Sequence, residues 1–162
     1  MDTHEGSPVA SDRRFAVVAS RFNPGVVRRL EEACLAALRG KGVREDRITW
    51  VRVPGAFEIP LAARRLAASG RYAAVIALGA VIRGETTHYD LISREAAAGL
   101  SSVMRDTGIP CAFGVLTTET EDQALDRSGP GEGNKGAEAA LVALEMADLL
   151  PRLGPDAPKG GN

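Results

Sequence analysis

The feature that most constrains this chain is an alternation of short apolar runs with longer amphipathic segments, repeated along most of its length. Each apolar run has the length of a strand that is buried on both faces, and each amphipathic segment carries apolar residues at helical spacing. Strands that alternate with helices form a parallel sheet with helices on both sides. The sequence therefore predicts a three-layer α/β/α sandwich around a four-stranded parallel sheet.

Turn and capping residues set the expected bounds of these elements. Asn23-Pro24 supplies an N-cap and a first helical proline for a helix that Gly40 and Gly42 close. The predicted strands are 15–20, 48–53, 74–81 and 111–116, and the later helices are 60–68, 87–107, 121–127 and 136–150. This order corresponds to a flavodoxin-like fold. Residues 1–13 are expected to form an N-terminal arm, 14–150 one α/β domain, and 151–162 a disordered tail.

Composition and charge exclude several classes of function. With 162 residues and 44% hydrophobic positions, the chain can bury one core. A net charge of −1 gives no case for a nucleic-acid partner, and no apolar stretch reaches the roughly 20 residues of a membrane span. The N-terminus lacks the regions of a signal peptide, so a cytoplasmic location is expected. Cys34 and Cys111 lie in apolar runs and are expected to be buried thiols.

Ligands of open α/β sheets bind beyond the carboxyl ends of the strands, so the candidate site lies in the loops that follow them. After the first strand, Phe22 could offer its ring to a flat heterocycle or could pack as a staple on its own helix. After the second strand, the Pro54-Gly55 turn exposes backbone amides. Glu58 is then either an acceptor for ligand hydroxyls or a solvated residue in the first turn of a helix.

The loop after the third strand is the most informative of the four. Gly84 allows a close turn, and the free N–H groups of Glu85, Thr86 and Thr87 at a helix N-terminus form a natural anion site. His88 follows within reach of that anion and could move protons at neutral pH, while the arm holds the other histidine. The residue is therefore a proton carrier or a structural histidine.

The segment before the last helix is rich in glycine and carries Arg127 and Lys135. Its Gly-x-Gly-x-x-Gly lacks a strand directly before it, and Asn134 and Gly136 break the Walker pattern, so both nucleotide-binding motifs fail. The guanidinium of Arg127 is a natural fork for phosphate. No cysteine and histidine spacing suits a metal, and no Gly-x-Ser-x-Gly elbow occurs, so no metal site is expected.

Five motifs carry a resemblance to the lumazine synthase family over nearly all of residues 15–150. They are Arg21-Phe22-Asn23, Pro54-Gly55-Ala56-Phe57-Glu58-Ile59-Pro60, Gly79-Ala80-Val81-Ile82-Arg83-Gly84 followed by Thr87-His88-Tyr89, Phe113-Gly114-Val115-Leu116-Thr117, and Gly133-Asn134-Lys135-Gly136. Any one motif is weak, but all five in order and at family spacing are highly specific. The resemblance implies a cofactor-free transferase of riboflavin biosynthesis.

The resemblance also assigns roles to individual residues. His88 is implied to be the proton shuttle, and Arg127 is implied to grip phosphate. The implied substrate-binding residues are Phe22 on the pyrimidinedione ring, Ala56, Phe57 and Glu58 on its ribityl chain, Ala80, Val81 and Ile82 beside the ring, Glu85 and Thr86 on phosphate, and Phe113 and Lys135. In the family, Phe113, Arg127 and Lys135 come from the neighbouring subunit, which makes a pentamer the smallest working unit.

The implied reaction joins 5-amino-6-(D-ribitylamino)uracil to 3,4-dihydroxy-2-butanone 4-phosphate and gives 6,7-dimethyl-8-ribityllumazine, phosphate and water. Beside these two small-molecule substrates, the resemblance implies further copies of the chain and allows an association with riboflavin synthase. In the family, an insertion in the loop between the last two helices disfavours a closed shell, and this chain has the short form, from Arg127 to Lys135. The N-terminal arm is expected to add an edge strand to the sheet of a neighbouring subunit, and both features favour a closed shell of sixty subunits. The alternatives are a flavin- or nucleotide-binding module without turnover, a structural shell protein, and a paralogue acting on a related diaminopyrimidine.

Overall fold

The computed structural model describes residues 1–10 and 12–155 of the chain. Its strands are β1 (Phe15–Ser20), β2 (Ile48–Val53), β3 (Ala74–Ile82) and β4 (Cys111–Thr118), and its helices are α1 (Pro24–Gly40), α2 (Ile59–Ala68), α3 (His88–Thr107), α4 (Glu121–Arg127) and α5 (Lys135–Leu153). The strands are parallel in the order β2-β1-β3-β4. The predicted three-layer α/β/α fold with a four-stranded parallel sheet is confirmed.

The two central strands, β1 and β3, have apolar side chains on both faces because helices cover both faces. Every residue of β1 is buried, and β3 is buried up to Val81. The register aligns Ser20 with Val53 at one end of the sheet, and Ile82 with Thr118 further along the same edge. The carboxyl ends of the strands therefore meet at one edge, where the loops of the candidate site begin.

Alternate side chains of the sheet enter two separate cores. Val17 packs on one face with Leu30 of α1 and Leu144 of α5. Val18 packs on the opposite face with Ile59 of α2 and with side chains of α3. Because successive side chains of a strand point to opposite faces, the single apolar run of β1 supplies both cores.

Several elements extend beyond their predicted ends. β3 ends at Ile82 and β4 at Thr118, because the ladder between them continues to the pair Ile82 and Thr118, two residues past the last apolar residue of β4. α5 runs through Pro151 to Leu153, where the sequence predicted an end at residue 150. Arg152 holds this last turn through an ion pair of 2.5 Å with Asp148. Tertiary and local side-chain contacts thus carry the helix past a residue that would otherwise end it.

The N-terminal arm lies along the end of α5, and residues 1–10 contain no strand. The backbone N–H of Ser7 donates to Oδ2 of Asp148 at 3.0 Å, and Nη1 of Arg152 donates to the carbonyl of Glu5 at 2.9 Å. Addition of the arm to a neighbour's sheet stays a prediction. The expected disordered tail falls largely on residues 156–162, which lie outside the described residues.

No helix in the described part of the chain is long and apolar enough to cross a membrane. The expected cytoplasmic location stays a prediction. Both cysteines are buried free thiols, as expected. Burial raises the pKa of Cys34 to about 12, with a further contribution from Glu31, and burial raises the pKa of Cys111 to about 11. Neither thiol lines the cavity described below.

Candidate functional site

Hydrogen bonds join the loops at the carboxyl edge of the sheet. The backbone N–H of Phe22 donates to the carbonyl of Pro54 at 3.2 Å, which ties the loop after β1 to the loop after β2. Nδ2 of Asn23 donates to the carbonyl of Ala80 in β3 at 2.9 Å. Asn23 is the N-cap residue of α1, as predicted, but its side chain makes no capping hydrogen bond. It connects two neighbouring strand ends instead.

These loops enclose a cavity of about 490 Å³ at the edge of the sheet, within the size range of small-molecule sites. Its walls come from the three loops after β1, β2 and β3 and from the start of α3. The lining residues are Phe22, Asn23, Pro54, Gly55, Ala56, Phe57, Glu58, Ala80, Val81, Ile82, Gly84, Thr86, His88, Tyr89 and Ile92. The structure thus brings together most of the predicted site residues, and no lysine or arginine is among the residues of this lining.

Two aromatic side chains of the cavity wall are open to solvent. Phe22 is 70% exposed and Phe57 is 56% exposed. A staple on α1 would bury the Phe22 ring against its own helix, so the exposure favours the alternative, a ring face available to a flat heterocycle. The backbone of Ala80 to Ile82 lines the same cavity from the end of β3.

The turn after β2 orients Glu58. Its Oε2 accepts a 3.0 Å hydrogen bond from the backbone N–H of Gly55, and its own backbone N–H donates to the carbonyl of Gly55 at 3.2 Å, so two reciprocal bonds close a single 3₁₀ turn. Among the described residues, Oε1 of Glu58 accepts no hydrogen bond. One carboxylate oxygen is therefore held by the protein, and the other remains for a ligand hydroxyl.

The loop after β3 leads into the N-terminus of α3, where His88 is the first helical residue. His88 is exposed at the cavity, and its backbone N–H lies 3.4 Å from Oγ1 of Thr86. Thr86 lines the cavity as predicted, whereas Glu85 is exposed and is not among the lining residues. A hydroxyl and helix N–H groups thus stand beside the imidazole, which suits an anion next to a proton carrier.

The remaining three predicted residues lie elsewhere in the chain. Phe113, Arg127 and Lys135 line a second groove of about 350 Å³ between β4, α4 and α5. Phe113 is 46% exposed, Nη1 of Arg127 bonds the carbonyl of Gln123 at 3.1 Å, and Nζ of Lys135 pairs with Glu138 at 2.6 Å. Within one chain the cations and the imidazole therefore belong to different openings.

Sequence reasoning missed that Asn134, which does not line this groove, fixes the loop before Lys135. The side chain is buried, and its Oδ1 accepts from the N–H groups of Gly136 and Ala137 at 2.8 and 3.2 Å. Its Nδ2 donates to the carbonyl of Gly129 at 3.0 Å. Asn134 thus closes the glycine-rich loop onto α5 and sets the position of Lys135. An asparagine directly before a helical Lys-Gly pair was the available signal.

A cavity at the carboxyl edge of a parallel α/β sheet defines a ligand-binding protein of the doubly wound class. A family model described as 6,7-dimethyl-8-ribityllumazine synthase matches residues 12–151. A protein of that name from Halorhodospira halophila is 51% identical over 154 residues, covering 94% of this chain and 99% of the relative. Another of that name from Chlorobium luteolum is 49% identical over 145 residues, covering 90% and 94%.

The chain therefore belongs to the 6,7-dimethyl-8-ribityllumazine synthase family. The family resemblance drawn from the five motifs is confirmed. The expected function, formation of a ribityllumazine in riboflavin biosynthesis, is also confirmed at the level of the family. Membership supports an enzyme that acts on small molecules, and it does not favour the binding module or the structural shell.

Proposed function

We propose that this chain is a transferase that condenses 5-amino-6-(D-ribitylamino)uracil with 3,4-dihydroxy-2-butanone 4-phosphate. The products are 6,7-dimethyl-8-ribityllumazine, phosphate and water. The observation that carries the proposal is the cavity of about 490 Å³, which is lined by both exposed Phe22 and exposed His88. This arrangement suits a flat heterocycle held beside a group that moves protons.

The pyrimidinedione lies against the face of Phe22, and the backbone of Val81 and Ile82 hydrogen-bonds its ring. Oε1 of Glu58 accepts hydrogen bonds from the ribityl chain, because Oε2 is already held by Gly55. The exposure of Phe22 and the free oxygen of Glu58 support these assignments. Together they hold the amine of the pyrimidinedione in one direction, towards the start of α3.

The chemistry requires protons to be moved and a phosphate to be released. The amine attacks the ketone, water leaves to form an imine, phosphate is eliminated, and the ribityl-bearing nitrogen closes the second ring with loss of water. His88 carries protons between these steps, and Thr86, with the N–H groups of Glu85 and its neighbours, holds the phosphate. Holding both substrates in register supplies much of the acceleration.

Because the cationic side chains of Arg127 and Lys135 lie outside the cavity of their own chain, we infer that the site is shared between subunits. The phosphate needs a cation, and the cavity lining holds neither lysine nor arginine, whereas Arg127 and Lys135 line the second groove. We infer that the groove of one subunit covers the cavity of the next. A contact between two different faces forms a ring when the rotation between successive subunits closes, and exposed Phe57 and Phe113 supply apolar area on the two faces.

The direct test is an assay of the purified chain with both substrates, in which product appears as the absorbance of the lumazine. Product that depends on both substrates supports the proposal. A chain that binds the pyrimidinedione and forms no lumazine would contradict it and favour the binding module. A chain that turns over only a different diaminopyrimidine would favour the paralogue.

Subunit complementation tests the shared site. His88→Ala damages the cavity, and Arg127→Ser damages the groove. When subunits of the two variants are mixed by dissociation and reassembly, about a quarter of the sites combine an intact cavity with an intact groove. Activity should therefore recover in the mixture. Recovery would be absent if each site lay within one chain, and mixing each variant with itself is the control.

The assembly proposed here is a pentamer at minimum, closed into a shell of sixty subunits. Sedimentation velocity separates these states, and a monomer at working concentration would contradict the shared site. A lone pentamer would contradict only the shell. The association with riboflavin synthase belongs to the same proposal, and co-sedimentation of the two proteins tests it.

A further inference from the structure

Arg83 stands directly after β3 and is not among the residues that line the cavity or the groove. Its guanidinium nevertheless contacts elements that carry both. Nη2 lies 3.2 Å from Oδ1 of Asp90 in α3, and Nε lies 2.7 Å from Oε2 of Glu119 after β4. Its Cζ lies 4.7 Å from the ring centre of Tyr89. One side chain thus joins two segments that the sequence keeps far apart.

The first turn of α3 depends on such contacts for its orientation. Its N-cap residue, Thr87, makes no side-chain capping hydrogen bond. The backbone N–H of His88 has only a long contact of 3.4 Å with Thr86. Arg83 instead holds the two residues that follow His88, through the ion pair with Asp90 and the cation–π contact with Tyr89. The direction of the imidazole is therefore set partly from outside the helix.

A series of hydrogen bonds through Glu119 and Gln123 connects Arg83 to Arg127. The backbone N–H of Arg83 donates to the carbonyl of Thr118 at 2.8 Å, next to the Glu119 that its side chain binds. The N–H of Glu119 donates to Oε1 of Gln123 at 2.9 Å, and the carbonyl of Gln123 accepts from Nη1 of Arg127 at 3.1 Å. The position of Glu119 therefore affects the start of α4 and the arginine at its end.

We propose that Arg83 is a positioning residue that holds His88 in the cavity and Arg127 in the groove of the same subunit. The inference rests on the proposed function, in which those two residues serve the reaction. If sites are shared between subunits, Arg83 positions the imidazole of one site and the phosphate ligand of the adjacent site.

The chemistry of arginine explains why this residue type stands here. Its planar fork presents two N–H directions at once and its face stacks on an aromatic ring, whereas a lysine offers one compact charge. The side chain of Arg83 is 40% exposed, and exposed single ion pairs contribute little to stability. Substitution should therefore leave the chain folded and change mainly the geometry of the two segments.

The experiment compares Arg83→Gln and Arg83→Lys with a matched control, Arg64→Gln. Arg64 also pairs with a carboxylate of α3, Asp106 at 2.9 Å, but at the opposite end of the helix. We expect both Arg83 variants to lower kcat about 10-fold and to raise the KM for the keto-phosphate several-fold, because small displacements of catalytic groups cost that much or more. The KM for the pyrimidinedione and the kinetics of Arg64→Gln should change by less than about 2-fold.

Two further variants each remove one ion-pair partner of Arg83 and so separate its effect on α3 from its effect on α4. Asp90→Asn should lower kcat with little change in KM, and Glu119→Gln should raise the KM for the keto-phosphate with little change in kcat. Wild-type kinetics in Arg83→Lys would overturn the proposal, since a positive charge without the planar guanidinium would then be enough for full activity. Equal effects of Arg83→Gln and Arg64→Gln would overturn it as well.

Hydrogen exchange measured by mass spectrometry supplies a readout that does not need turnover. Backbone amides in peptides covering residues 85–91 and 119–127 should exchange faster in Arg83→Gln than in the wild-type chain, and their exchange should be unchanged in Arg64→Gln. Unchanged exchange in both peptides would overturn the proposal. If the wild-type chain formed no lumazine, the proposed function would fail by itself, and the exchange data would still decide whether Arg83 restrains the two segments.

Discussion

Asn23 donates a 2.9 Å hydrogen bond from Nδ2 to the backbone carbonyl of Ala80, and it does so from a left-handed conformation with φ 56° and ψ 57°. It is the only described residue other than glycine with a positive φ. Asparagine tolerates this conformation better than most residues. The bond fixes the loop that carries Phe22 against the strand that carries Val81, so two walls of the cavity are joined by one side chain.

Substitution of Asn23 should separate the hydrogen bond from the backbone conformation. Asn23→Gly keeps the left-handed conformation and loses only the bond, so the free energy of unfolding should fall by about 1 kcal/mol. Asn23→Ala adds the cost of the left-handed backbone and should lose roughly 2 to 3 kcal/mol. Chemical denaturation measures both. Equal losses would mean that the backbone conformation costs nothing here.

His88→Ala should lower turnover by about 10²-fold or less and leave the fold intact, because general acid–base catalysis contributes that order and water can partly substitute. The imidazole is exposed, so its removal leaves no buried cavity. Steady-state kinetics measures the loss. His4→Ala, in the arm, is the control and should retain full activity. Unchanged turnover in His88→Ala would contradict the role assigned to this residue.

Arg127→Ser should raise the KM for the keto-phosphate much more than the KM for the pyrimidinedione, because it removes a charge-assisted contact to one substrate only. Arg105→Ser is a matched control. Arg105 is also an exposed arginine whose Nη1 makes a local hydrogen bond, at 3.0 Å to Ser101. Equal increases in both KM values for Arg127→Ser would indicate structural damage instead.

Gly136→Ala should destabilise the packing of α5 on α1. A Cβ at this position would overlap the carbonyl oxygen of Leu30, and the contact atoms belong to backbone that cannot rotate away. We expect a loss of about 3 kcal/mol or more, at the upper end of overpacked sites. Gly25→Ala in α1 is the control, because a Cβ there would meet no atom within 4 Å. Alanine also favours the helix over glycine, so this substitution should be neutral or stabilising by about 0.5 kcal/mol. Thermal unfolding of the two variants gives the comparison.

The buried thiols predict a pH dependence with a definite sign. Burial raises the pKa of Cys34 from 9.0 to about 12, so the folded state favours the neutral thiol. This contribution to stability is fully present below about pH 9 and is lost as the pH rises towards 12. At pH 8, iodoacetamide should modify the native chain roughly 10²-fold more slowly than the denatured chain. Rapid native labelling of either cysteine would contradict the burial of its thiol.

Asn23 and Asn134 show how far local sequence patterns predict the structure around a side chain. Asn23 and Asn134 both stand at N-cap positions, and both begin helices that the sequence predicts. The side chain of Asn134 caps its helix, whereas that of Asn23 crosses to the neighbouring strand. The sequence predicted the start of α1 at Pro24 and predicted the start of α5 one residue late, at Gly136. The partner of each side chain depended on which strand end lay within reach, and that is a property of the folded chain.

The sequence by itself determined the fold class, most element bounds and the loops that form the cavity, because apolar periodicity and turn residues act over short distances along the chain. The family resemblance already implied that Arg127 and Lys135 serve a neighbouring subunit, but only the tertiary structure showed the separate groove that they line and the contacts by which Arg83 joins the segments that carry Arg127 and His88. Those relations depend on strand order and on β4 lying at the edge of the sheet. Periodicity does not encode strand order, because it is set by contacts between residues far apart in the chain.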